Sequence, residues 1–357
     1  CGFAGGNAQD TLSIGSVNAV AITFLGGDGS DTINFSNSAV GGTGVTLNLS
    51  DGTASGGLAT GLSFSSVEQV TGTAYGDTFI GGAADETFRS FDGDDVISAG
   101  AGNDNLTAGR GNDTLDGGAG TDTAYFIGGT TTSATLAQVS ITAGASDGHI
   151  VVADSRAGSS GGTDDLTNIE SLVFSDVTVA VANGTSGNDT LAGTASRDVL
   201  VGGDGNDTLT ASGTGGDWLL GGSGNDTLVG ANVSALSGAD GGTGTDVLQI
   251  TTPGLAIDLS SLMGVASNIE TLQLTNNSAD LTLTLSAANI MSLTDSNHDL
   301  LVQLDSGDTL NIASTHVETG RSTDASGNTT VDYGLYASTD TSGAAAATLH
   351  VQYLATH

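Results

Sequence analysis

Lysine is absent from this chain of 357 residues. The five basic residues are all arginines (Arg89, Arg110, Arg156, Arg197 and Arg321), against 40 acids, and the net charge is −35. Nucleic acid and anionic membrane surfaces are excluded as partners, because both are held by a positive footprint that this chain lacks. Cysteine is reduced to Cys1, so no internal disulfide is available and folding does not depend on oxidation. Proline occurs once, tryptophan once, and aromatic residues make up 4%. No apolar run is long enough to cross a bilayer and no charged-then-apolar leader opens the chain, so no membrane insertion is expected. Starting without Met and running almost at once into a repeat, the sequence reads as a processed or excised C-terminal piece of a longer protein.

Glutamate is scarce too. It stands only at Glu68, Glu86, Glu170, Glu270 and Glu318, which leaves 35 of the 40 acids as Asp. A surface charged for solubility mixes Asp, Glu and Lys. A bias to the short carboxylate suits tight turns and hard-cation ligation. So much charge on so little apolar material repels itself and predicts a chain that is disordered until cations neutralise it.

What is abundant is glycine, 57 residues, arranged with aspartate in a nine-residue beat. Residues 72–125 hold six units without a break: GTAYGDTFI, GGAADETFR, SFDGDDVIS, AGAGNDNLT, AGRGNDTLD and GGAGTDTAY. Residues 184–229 hold GTSGNDTLA, GTASRDVLV, GGDGNDTLT, the ten-residue ASGTGGDWLL, and GGSGNDTLV. Isolated copies lie at 5–13, 26–34 and 241–249, and GGTGVTLNL at 41–49 keeps the glycines but puts Thr46 where the acid is expected. Six residues of each unit form a turn and three a short strand. The sixth positions supply Asp10, Asp31, Asp77, Glu86, Asp95, Asp104, Asp113, Asp122, Asp189, Asp198, Asp207, Asp217, Asp226 and Asp246 as candidate metal ligands. Ca²⁺ takes six to eight oxygens in a forgiving geometry, and carboxylates with backbone carbonyls provide them. The eighth position is apolar and points inward, as Phe79, Phe88, Ile97, Leu106 and Leu115 do before Ala124 breaks the column.

Two nonapeptides make one coil, so turns stack eighteen residues apart. Asp77 falls under Asp95, Glu86 under Asp104, Asp95 under Asp113, Asp104 under Asp122 and Asp189 under Asp207. The inserted residue makes Asp198–Asp217 and Asp207–Asp226 nineteen apart, and stacking is expected to falter there and at Thr46.

Between the blocks, residues 126–183 and 250–357 show the alternating apolar pattern of strands, as in Val177–Val181 and Leu281–Leu285. One short helix is expected over Ser286–Leu293 with Ser286 as its cap. A motif recurs about every hundred residues, with Glu68, Glu170 and Glu270 at its centre. These glutamates read either as solvated charges on an edge-strand cap or as extra cation ligands.

The two blocks, with the segments GVTLNLSDGTASGG, SSVEQVTGTAYGDT and GTDDLTNIESLVFSD and the tail IMSLTDSNHDLLVQLDSGDTLNIA, resemble the repeats-in-toxin (RTX) family. The resemblance implies calcium-binding parallel β-rolls exported by type I secretion. It also implies ligating carbonyls near the second and fourth positions, here Gly100, Gly102, Gly109, Gly111, Gly118, Gly120, Gly187, Gly203, Gly205, Gly222 and Gly224. Glu86 is one methylene longer, and Ala84 and Arg197 sit beside expected turn glycines or acids, so these sites depart from the pattern.

Nothing in the chain asks for catalysis. Gly158-Ser159-Ser160-Gly161-Gly162 matches a nucleophile elbow, but a Ser/Gly loop flanks it rather than a strand and helix. The five histidines are scattered and no HExxH occurs. Trp218 occupies a seventh position, expected outward and packed under a neighbouring segment.

The expected fold is all-β: parallel β-roll blocks with strand-rich capping segments. The expected divisions are 1–71 (degenerate repeats), 72–125 (first roll), 126–183 (linker and cap), 184–249 (second roll) and 250–357 (C-terminal cap with secretion signal). The function read from this is a non-enzymatic, calcium-binding structural module of an extracellular bacterial surface protein, an S-layer subunit or adhesin. Its partners would be calcium, the type I secretion machinery, and further copies of itself or a cell-surface polysaccharide. The alternative is the secretion and folding module of an exported protease, lipase or polysaccharide-modifying enzyme.

Overall fold

The computed structural model describes residues 2–15, 21–36, 42–126, 134–145, 148–154, 162–251, 256–274, 281–305, 307–336 and 345–354. They fall into two compact units, Cys1–Gly144 with His149–Val181, and Ala145–Gly148 with Ala182–His357.

Most strands within the repeats are three residues long, and only the middle residue is buried. Successive side chains of a strand point to opposite faces, so a three-residue strand sends one side chain inward and two outward. In the first unit Thr78–Ile80, Val96–Ser98 and Thr114–Asp116 pair in parallel with Phe79, Ile97 and Leu115 in register. The intervening strands Thr87–Asp92, Asn105–Arg110 and Thr123–Tyr125 form a second parallel ladder with Phe88, Leu106 and Ala124 in register. Phe79 and Phe88 stack across the interior, ring centroids 5.8 Å apart. Consecutive nonapeptides thus alternate between two sheets, and the fold is a parallel β-roll. About one large apolar side chain is buried per nonapeptide of the first roll, worth about 1.5–3 kcal/mol each, which leaves much of the ordering cost to be offset by other interactions.

The interrupting segments extend the same sheets. Thr46–Asn48 lies parallel to Thr78–Ile80 with Leu47 beside Phe79, and Thr53–Ser55 runs antiparallel between it and Leu62–Ser65. Beyond the first roll, Thr163–Thr167 continues the sheet in parallel, followed by antiparallel Ile150–Asp154 and Val139–Ala143.

In the second unit Thr190–Ala192, Thr208–Thr210, Thr227–Gly230, Val247–Ile250, Thr271–Gln273, Asp299–Asp305 and Ala347–Leu354 form one parallel run. It closes with antiparallel Thr329–Tyr336 and Thr315–Thr323. Stacking was expected to falter at the ten-residue unit, and it does not. Val199 pairs with Trp218 and Thr208 with Thr227, because the extra residue is taken up in the turn, where Gly213 and Gly216 adopt φ of 72° and 79°. The irregularity appears one coil later, as a register shift at Asp217/Trp218 against Leu236–Thr243. Trp218 is buried there against Gly238, whose missing side chain leaves room for the indole. The expected helix is present as Ala287–Leu293, with Ser286 and Asn289 forming a reciprocal capping box.

Candidate metal centre

Each turn ends on the acid that precedes a strand, and its backbone N–H donates to the carboxylate of the next acid in the stack. Asp77 donates to Asp95 (2.6 Å), Glu86 to Asp104 (2.7 Å), Asp95 to Asp113 (2.8 Å) and Asp104 to Asp122 (2.7 Å), all eighteen residues apart. In the second unit Asp189 donates to Asp207 at 2.7 Å and a separation of eighteen. Asp198 to Asp217 (3.0 Å) and Asp207 to Asp226 (2.8 Å) are nineteen apart, and Asp226 to Asp246 (2.8 Å) is twenty. Asp10 donates to Asp31 at 2.8 Å. The sequence-derived acids therefore stand in vertical columns, each fixed to the next through one carboxylate oxygen.

The other oxygen divides them into two groups. Asp31, Glu86, Asp95, Asp104, Asp113, Asp122, Asp207 and Asp246 each keep a carboxylate oxygen that is buried and accepts no hydrogen bond from the protein. Burial, as the first cause, pushes Asp95 up to about 8, Glu86 and Asp246 to about 7, and Asp122 to about 6. Neighbouring carboxylates add to it, Asp104 beside Glu86 and Asp226 beside Asp246. Asp104 and Asp207 are raised for the same reason. A buried, unpaired anion is costly unless a cation meets it.

In the second group the protein itself supplies the donor. Thr73 N–H reaches Asp77 Oδ2 at 2.7 Å and its hydroxyl reaches Oδ1 at 2.9 Å. Thr185 directs both its N–H and its hydroxyl to Asp189 Oδ2, and Thr194 both to Asp198 Oδ2, while Ser212 N–H reaches Asp217 at 3.0 Å. Gly6 N–H reaches Asp10 Oδ2 at 3.1 Å. A second-position residue outside the left-handed region, Ser or Thr in four of these five turns and Gly6 in the other, thus satisfies the acid at the sixth. Where the second position is glycine at positive φ, as at Gly118 (89°) and Gly203 (93°), no such donor reaches the acid.

The glycines are also needed for stacking. A Cβ on Gly118 would lie 2.0 Å from the carbonyl oxygen of Gly100, and one on Gly120 1.7 Å from that of Gly102. The same holds for Gly222 over Gly203 (2.2 Å), Gly224 over Gly205 (1.7 Å) and Gly205 over Gly187 (2.7 Å), and for Gly109 and Gly111 over Phe91 and Gly93. At the first position, a Cβ on Gly202 would meet both Asp207 Oδ2 at 2.4 Å and the carbonyl of Gly221 at 2.3 Å. Gly221 stands likewise between Asp226 Oδ2 and the carbonyl of Gly241. A buried carboxylate oxygen and a carbonyl thus face each other across a space that only glycine leaves open.

Three features of the columns differ from the sequence reading. At 41–49 the strand register puts Val45, not Thr46, in the acid's place: Val45 N–H donates to Asp77 Oδ1 at 2.7 Å. Asp164 was missed; it is buried and receives the N–H of Asp113 at 3.1 Å, and burial beside Asp113 raises its pKa. Its only signal was an acid two residues before an inward apolar residue, Leu166. The same signal marks Glu68, Glu170 and Glu270, which are not solvated edge charges. They are half-buried and receive the N–H groups of Asp31 (2.9 Å), Asp122 (2.7 Å) and Asp246 (2.8 Å).

No group of three or more His, Cys, Asp or Glu side chains able to hold a metal occurs among the described residues. The donor set is instead paired carboxylates with backbone carbonyls, all oxygen, which fits a hard cation tolerant of irregular geometry. Most of the Gly158–Gly162 string lies outside the described residues. His149 pairs with Asp165, and His350 lies between Asp299 and Asp332.

Residues 89–124, 183–213 and 212–232 match a family model described as the RTX calcium-binding nonapeptide repeat, in four copies. The chain carries RTX repeats. These repeats bind several Ca²⁺ ions, and they make the chain a calcium-binding structural module of a secreted protein. No curated protein matches the chain. Among solved structures, an extracellular lipase LipA from Serratia marcescens is similar at 16% identity and a TM-score of 0.24, over 77% of this chain and 37% of the lipase chain. At that score the likeness carries no functional argument.

Proposed function

We propose that this module belongs to a bacterial cell-surface protein of the S-layer or adhesin type, exported unfolded by a type I machinery and folded by external calcium. The carrying observation is the set of buried carboxylate oxygens without a protein donor, aligned in columns. In low-calcium cytoplasm those columns repel and the chain stays unfolded; at millimolar calcium the charge is met and the coils close. In this reading the rolls at 72–125 and 184–249 are the calcium-loaded cores and the strand-rich segments 126–183 and 250–357 are their caps. The role is structural rather than catalytic, and the partners are further copies of the chain or a surface polysaccharide.

Far-UV circular dichroism with and without chelator tests the folding step. Calcium should produce a β spectrum that chelation abolishes; a β spectrum indifferent to chelation overturns it. Electron micrographs of the calcium-loaded chain test the surface role, with sheets or filaments expected and a monodisperse monomer counting against assembly.

A further inference from the structure

We propose that Glu68, Glu170 and Glu270, which lie outside the nonapeptides, each complete a further calcium site with the aspartate stacked beneath them. The proposal rests on the calcium reading above and extends it to residues of a different motif.

Inside the rolls, a site has two recurring parts between one turn and the next. One is the buried, undonated oxygen of the lower acid; the other is the first-position carbonyl of the turn above, facing it across a glycine. Asp207 with the carbonyl of Gly221 over Gly202 is the pattern. The three glutamate motifs reproduce both parts with a shorter piece of chain. Asp31, Asp122 and Asp246 are fully buried and each holds an Oδ2 that no protein group donates to. Over their first-position glycines lie the carbonyls of Ser66, Asn168 and Asn268, 1.9, 2.1 and 2.0 Å from where a Cβ on Gly26, Gly117 and Gly241 would be.

These three residues share an unusual backbone, with φ of 52°, 51° and 53° in non-glycine residues. A left-handed residue here costs free energy and is kept only where its surroundings require it. Two are anchored: Asn168 Nδ2 donates to Asp116 Oδ1 at 2.8 Å and Asn268 Nδ2 to Asp240 Oδ1 at 2.7 Å. In a nonapeptide the carbonyl and the acid come from positions one and six. Here they come from residues two apart, and the extra methylene of Glu lets its carboxylate reach the same N–H. That contact, 2.7–2.9 Å, matches the 2.6–2.8 Å of the aspartate pairs in the first roll. A carboxylate adds a charge to the ligand set that a neutral acceptor does not, and charge count tunes calcium affinity.

The test is the number of Ca²⁺ ions bound per full chain, by equilibrium dialysis, in the wild type, E68Q, E170Q, E270Q and the triple variant. Glutamine keeps a carbonyl acceptor for the N–H of Asp31, Asp122 or Asp246, so a merely structural cap survives the change. Each single variant should bind one ion fewer and the triple variant three fewer, with an unchanged β spectrum at saturating calcium. An unchanged count overturns the proposal while leaving the nonapeptide sites intact; a wild type that binds no calcium overturns the calcium reading itself. If the variants fail to fold, anomalous density in wild-type crystals grown with calcium decides. Peaks at Asp31/Glu68, Asp122/Glu170 and Asp246/Glu270 support the sites, and filled roll sites with these three empty overturn them.

Discussion

The backbone N–H of Asp104 donates to Oδ1 of Asp122, eighteen residues later, at 2.7 Å, and the second oxygen of both carboxylates is buried without a donor. One oxygen of each acid therefore serves the column, and the other is the one the proposed calcium sites would use.

Substitutions should separate the two groups of acids. D207N removes a charge from an undonated, buried oxygen. Calcium titrations followed by circular dichroism should show its folding midpoint rise on the order of tenfold or more. D198N touches an oxygen already held by Thr194 and should shift the midpoint far less. Equal shifts for the two variants would contradict this division.

The turn glycines should differ in their tolerance of alanine. Gly264 has φ of 77° with open space around its would-be Cβ, so G264A should cost only the backbone strain, about 1–2 kcal/mol. Gly222 has φ of 106° and the carbonyl of Gly203 at 2.2 Å from the same point. Thermal denaturation at saturating calcium should show G222A losing clearly more stability than G264A.

Without calcium, stability should fall as pH rises. The folded pKa values of Asp122, Asp246, Glu86 and Asp95, about 6 to 8, lie above the ordinary 3.8 of Asp and 4.5 of Glu. Groups raised in this way bind more protons in the folded state, so their contribution is complete below about pH 4 and lost as pH passes through 6 to 8. Chelated protein should gain β structure on acidification from pH 8 to 5, and calcium-saturated protein should be flat over that window. A chelated chain that grows more stable toward pH 8 would falsify the assignment.

Trp218 gives a local reading. It is the single tryptophan, 9% exposed, next to Asp217 and packed on Gly238. Its emission should shift to shorter wavelength as calcium closes the second roll and return on chelation. An emission maximum unchanged by calcium would show that this coil forms without the ion.

The nonapeptide beat alone determined the short strands, the inward column through Phe79, Ile97 and Leu115, and the eighteen-residue stacking of the acids, because each follows from local turn chemistry and a fixed coil length. The self-satisfied acids were also within reach, since Thr73 and Asp77 lie four residues apart. Only the tertiary structure decided the rest. Asp31 meets Glu68 across 37 residues, Asp122 meets Glu170 across 48, and Asp113 meets Asp164 across 51. Those separations are set by inserted strands of irregular length, which break the count by which the sequence predicts a neighbour. A column is a property of height in the stack, and once an insertion intervenes, position along the chain no longer measures height.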